Sequence, residues 1–122
     1  MLVQVQGERF ATMRRLFPDE RTLVRVLGAF GDATRDDLRA LGQAQERHDL
    51  HTLTEIAHKL KSACAQVDDA DAARVLDLLE DAASMGSSPP LLASLVDDVL
   101  VRVGRLADDV DAFIASHESR GR

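Results

Sequence analysis

The chain has 122 residues, 45% hydrophobic and 30% charged, and its 15 basic and 21 acidic residues leave a net charge of −6. That length suits one domain with a self-sufficient core, and the acidic balance argues against a nucleic-acid binder. With no Trp or Tyr and only four Phe, packed helices are favoured over a β-sandwich.

The lone cysteine, Cys64, excludes an internal disulfide framework or CxxC redox pair and suits a reducing, cytoplasmic setting. The opening MLVQVQGERF lacks the basic start and apolar run of a signal peptide. The uncharged stretch from Ala82 to Val96 is too short, and too broken by Gly86, Pro89 and Pro90, to span a bilayer.

The first predicted helix covers Arg9 to Phe17, with Phe10, Met13, Leu16 and Phe17 at helical spacing. Pro18 stops it, lacking an amide proton and clashing with the preceding turn. Asp19 offers a cap for a second helix reaching about Glu46, with Leu23, Val26, Leu27, Phe30, Thr34, Leu38 and Leu41 on one side. Gly28 and Gly31 weaken it, so a bend near 28–32 is expected.

Asp49 caps a third helix, from Leu50 to about Gln66, whose apolar positions are Leu50, Leu53, Ile56, Ala57, Leu60, Cys64 and Val67. A short turn at Val67 to Asp69 leads to a fourth helix, capped by Asp69 or Asp71 and ending near Ser84. Its inner face is Ala72, Val75, Leu76, Leu79 and Ala83. Ser88 with two prolines behind it opens the last helix, predicted to run from about Pro90 to Ala115. Its seam of Leu92, Val96, Val99, Val103, Leu106, Val110 and Phe113 alternates steps of four and three. The expected fold is all-α: residues 1–18 form an N-terminal segment with a short helix, 19–116 an antiparallel four-helix bundle, and 117–122 a frayed, flexible tail.

One residue of the third helix sits on the wrong face. At about 100° per residue, His58 falls about 150° from the centre of the apolar stripe, so it faces solvent. Lys61 follows at i+3, Ser62 at i+4 and Ala65 at i+7, the neighbours whose side chains meet its own. Lys59 and Lys61 are the only lysines in the chain, and both flank His58. Ser62 and Ala65 are small, which lets another protein approach the imidazole. An exposed imidazole is a good nucleophile, and a nearby lysine can neutralise an arriving phosphoryl group. A metal ion and a leaving-group site would have to come from a partner.

The stretch Ala57-His58-Lys59-Leu60-Lys61-Ser62-Ala63-Cys64 resembles the signature of histidine-containing phosphotransfer (HPt) domains, roughly His-x-Leu-Lys-Gly-Ser/Ala-Ala. Asp49-Leu50 sits where that family's Gly-Asp-Leu opens the active helix. Leu79-Glu80-Asp81-Ala82-Ala83 is similar to its Leu-Glu-x-Ala-Ala, and Phe30-Gly31-Asp32 matches a Phe with acidic neighbours. The resemblance spans about residues 20–115. It implies that His58 takes a phosphoryl group from the aspartyl phosphate of a response-regulator receiver domain and passes it to another receiver. Lys61 would steady that group, with electrostatic support from Lys59, and Glu80 would contact the imidazole. Leu27 and Phe30 would be apolar contacts for the receiver, beside Ser62 and Ala65. The chain would carry no cofactor of its own, Mg²⁺ arriving with the receiver, and would have no autokinase activity. A hybrid sensor kinase is a second candidate partner, and a monomer the expected state. Two positions depart from the pattern: Ser62 replaces the Gly after the second Lys, and Asp68 replaces a later Gly in the following turn, where Asp tolerates a left-handed backbone.

Two rivals stand beside this reading. His51, Glu55 and His58 have the spacing of a surface metal site, although a di-iron bundle would need a second Glu-x-x-His motif and inward-facing ligands. Alternatively the bundle docks a receiver or kinase without transferring phosphate, an option that Ser62 keeps open.

Overall fold

The structure, a computed structural model, describes residues 9–120, with side chains as far as Glu118. Residues 1–8 of the expected N-terminal segment and the last two of the expected tail lie outside that range. The described residues form five helices and no strand: α1 (Ala11–Leu16), α2 (Glu20–Glu46), α3 (Leu50–Gln66), α4 (Ala70–Ser84) and α5 (Pro89–Arg120).

Local chemistry sets the helix starts. The carboxylates of Asp19, Asp49 and Asp69 accept hydrogen bonds from the amides of Thr22, Thr52 and Ala72. Each supplies an acceptor for an otherwise unpaired first-turn N–H. The expected choice between Asp69 and Asp71 therefore falls on Asp69. The helix ends share one device. His48, Asp68 and Gly86 have φ of 56°, 64° and 68°, and the next amide in each case reaches back to Ala44, Cys64 and Ala82 respectively. This is the six-to-one bond of a Schellman motif, in which a left-handed residue satisfies the last carbonyls and reverses the chain. Asp49 and Asp69 each close one helix with the main chain and open the next with the side chain.

The buried faces then meet. α2 packs on α3, α3 on α4, α4 on α5, and α5 back on α2. Their shared core includes Leu23, Leu27, Leu41, Leu53, Leu60, Leu76, Leu79, Val99, Val103 and Leu106. The α5 seam is buried as expected, with Phe113 partly so. Each such side chain contributes about 1.5–3 kcal/mol relative to exposure, so the core outweighs any surface ion pair.

Two expectations change, at α1 and at α5. α1 begins at Ala11 rather than Arg9, and Leu16 is exposed while Phe10 and Met13 are buried. α2 is one continuous helix across Gly28 and Gly31, where the nearest side-chain atoms to an added Cβ would be Ile114 Cδ1 and Val110 Cγ1 of α5. α5 continues past Ala115 to Arg120. His117, expected in a frayed tail, has a side chain only 9% exposed, and its ring lies 4.2 Å from that of Phe113. Burial of that ring extends the helix.

α1 is part of the same core. The Phe10 ring meets Phe113 edge-on at 5.4 Å. Thr12 donates from its amide and its hydroxyl to the Asp68 carboxylate, at 2.9 and 2.7 Å. Asp68 therefore does two jobs where a glycine would do one: it takes the left-handed turn and ties α1 to the end of α3.

Candidate functional site

The exposed face of α3 and the adjoining face of α4 form one polar cluster. His58 and Lys61 come from α3, one turn apart. Asp77 and Glu80 come from α4 with the same spacing, which puts both carboxylates opposite both basic groups. The two helices pack on each other, and their buried residues include Ala57, Leu60 and Cys64 of α3 and Leu76, Leu79 and Ala83 of α4.

The imidazole of His58 is 65% exposed, as expected from its place opposite the apolar stripe. Its Nδ1 donates to Oε2 of Glu80 at 2.9 Å. Because a carboxylate only accepts, this bond places the proton on Nδ1 and the lone pair of the neutral ring on Nε2. Among the described residues Nε2 has no hydrogen-bond partner.

Oε1 of Glu80 faces the Lys61 ammonium at 2.7 Å, and that ammonium also donates to Asp77 at 2.9 Å. One carboxylate thus joins His58 to Lys61, an oxygen to each. The Lys61 ammonium beside it is the main reason that the Glu80 carboxyl lies below its ordinary range, the His58 contact adding to the effect against partial burial. Glu80 and Asp77 in turn raise the ammonium of Lys61 above its ordinary value. At neutral pH both groups are charged, so Glu80 acts as an acceptor for His58 and not as a base.

Other candidates fall in different places. Lys59 bridges to Asp37 of α2 at 3.3 Å, on the opposite flank of α3. Ser62 is exposed, and its hydroxyl donates to the carbonyl of His58 at 3.3 Å. Ala65 is exposed at the rim of an open hollow lined by Asp68, Ala70, Ala73, Arg74 and Asp77. Phe30 is half-buried against the core. Leu27 is a correction: it is fully buried in the core and has no surface to offer a partner. The family resemblance implied contact, but the helix rotation that buries Leu23 and Gly31 buries Leu27 with them.

The metal alternative finds no cluster. His51 pairs with Glu55 along one helix face at 3.0 Å, while His58 is engaged by Glu80. Among the described residues no group of three His, Cys, Asp or Glu side chains is placed to hold a metal. Cys64 is buried, which pushes its thiol up to about 12 and leaves it inert as a nucleophile. Asp77 and Asp37 are the site residues that the sequence reading missed. Asp77 had a signal, lying one turn before Glu80 on the same face. Asp37 had none, since nothing in the sequence aligns α2 with α3.

Comparison with known families identifies a match to the Hpt domain over residues 25–116. The chain belongs to the Hpt domain family, whose members take part in histidine phosphotransfer within phosphorelays and interact with receiver domains. The match covers the polar cluster and most of the four long helices but not α1. Comparisons with curated proteins and with solved structures found no match. No helix among the described residues is long and apolar enough to cross a membrane.

Proposed function

We propose that this Hpt domain is a phosphorelay intermediate, accepting a phosphoryl group on Nε2 of His58 from the aspartyl phosphate of one receiver and donating it to the Asp of another. The His58–Glu80 hydrogen bond carries this reading, because it aims an available nitrogen lone pair into solvent on a ring held in one tautomer. The four long helices then act as an antiparallel bundle, a rigid stand for the ring.

In the forward step the Nε2 lone pair forms the N–P bond. The P–O bond to the donor aspartate breaks, and its electrons leave on that carboxylate. Nδ1 keeps its proton, and the charge that develops on the ring is met by Glu80. The reverse step returns the N–P electron pair to Nε2. Positioning and charge neutralisation supply most of the acceleration in such a displacement. Lys61 neutralises the phosphoryl oxygens, and Lys59 adds a more distant positive charge. A docked receiver brings Mg²⁺, which screens the same oxygens. Phe30, Ser62 and Ala65 are the surface that meets the receiver, and Ser62 narrows the clearance that glycine would leave. A hybrid sensor kinase fits as the upstream partner, and a cytoplasmic monomer without autokinase activity fits a carrier of this size.

Incubation with a phosphorylated receiver tests the proposal. Acid-labile, alkali-stable label on the wild type and none on His58→Gln is expected. Stable binding with no label on the wild type overturns transfer and leaves a docking-only bundle.

A further inference from the structure

Lys61 is held between two carboxylates in this structure. Its ammonium has three N–H donors, and Glu80 and Asp77 occupy it at 2.7 and 2.9 Å. The side chain is 29% exposed and enclosed between the two carboxylates. A phosphoryl group on His58 adds a charge of about −2 to the ring that Glu80 holds. The phosphoryl group competes with both carboxylates for the one ammonium, and the carboxylate held less tightly is the one that yields.

The two carboxylates are not equivalent. Glu80 is 20% exposed and bound to His58 through its other oxygen. Stripping its ammonium would leave a charge poorly solvated beside a new dianion. Asp77 is 53% exposed and touches neither His58 nor Glu80 through a hydrogen bond. Released, it is simply hydrated. We infer that Asp77 is a positioning residue acting through Lys61: it holds the ammonium at rest, is exchanged for the phosphoryl group on transfer, and so biases His58 toward the unphosphorylated state. This rests on the phosphotransfer reading above.

Phosphoramidate provides a test that needs no cognate receiver. Its P–N bond breaks with the electron pair leaving on ammonia, as the Nε2 lone pair of His58 forms the new N–P bond. With excess ammonia the exchange is reversible, and phosphorus NMR reads the plateau ratio of phosphohistidine to donor. Asp77→Asn keeps shape and removes charge. Its plateau ratio is expected to exceed wild type by about threefold, the scale of one exposed ion pair. Asp77→Glu is expected to return to the wild-type ratio. In a Lys61→Ala background, Asp77→Asn is expected to change nothing. A wild-type ratio in Asp77→Asn, or an increase that survives Lys61→Ala, overturns the inference while phosphotransfer stands. No phosphohistidine on the wild type, with phosphoramidate or with a phosphorylated receiver, overturns both.

Discussion

At the residue scale, the polar cluster shows how one carboxylate assigns roles to two basic groups. Glu80 holds the His58 proton on Nδ1 and holds Lys61 nearby, and neither effect needs the other oxygen. Replacing Glu80 with Ala frees the ring to rotate and to take either tautomer. Phosphorylation of His58 is expected to slow by about tenfold or more, on the scale seen when the partner orienting a histidine is lost. Helix content should stay unchanged, because Glu80 lies over the core and not in it; a wild-type labelling rate would remove Glu80 from the mechanism. His58, Lys61 and Glu80 were all legible as residues in the sequence: the first from its place opposite the apolar stripe, the second from helical spacing, the third from family resemblance. Their geometry was not legible, because a hydrogen bond between α3 and α4 depends on how the two helices are rotated and how far one has slid along the other.

At the element scale, three Schellman turns and three aspartate caps account for most helix boundaries, and all six caps and turns use local sequence. That is why the starts at Glu20 and Leu50 and the ends at Glu46, Gln66 and Ser84 agree with residue patterns alone, while the start at Ala70 is one of the two that the sequence offered. The elements that differ are those whose limits are set by distant contacts. α5 persists to Arg120 because His117 packs on Phe113, and α1 is fixed by Phe10 and by Thr12 on Asp68. The helix interiors keep some slack. An added Cβ at Gly42 of α2 meets no atom within 4 Å. Gly42→Ala is therefore expected to stabilise the protein by about 0.5–1 kcal/mol, the helix-propensity difference. Denaturant melts check it, and a lower midpoint would mean that this face of α2 is covered.

At the scale of the whole molecule, the net charge of −6 hides an ordered arrangement. Many of the aspartates are structural. Asp19 and Asp49 cap helices and Asp68 anchors α1, and bonds from Thr22, Thr52 and Thr12 respectively are the leading reason that all three carboxyls lie below their ordinary range. A group depressed by folding stabilises the native state fully above its unfolded pKa, and that contribution fades as pH falls through the folded value. Stability is accordingly expected to be level from neutral pH down to about 4 and to fall below it. Lys61, which folding shifts upward, contributes throughout that window and is lost only in strong alkali. Thermal melts across pH check the sign: a loss of stability between neutrality and pH 5 would point to groups other than these carboxylates.

The sequence by itself determined where the helices lie, the aspartate caps of α2 and α3, the apolar seams and the one histidine set against the stripe. Each of those follows from a period of 3.6 residues and from side chains acting on their own backbone, so a linear reading reaches them. Tertiary structure decided what Leu27 faces, that His117 belongs to the fold, that Asp68 holds α1, and that Asp77 and Glu80 share Lys61. Those depend on the rotation and offset of one helix against another, which are set by how whole faces of side chains interlock. No single segment of the chain contains that information.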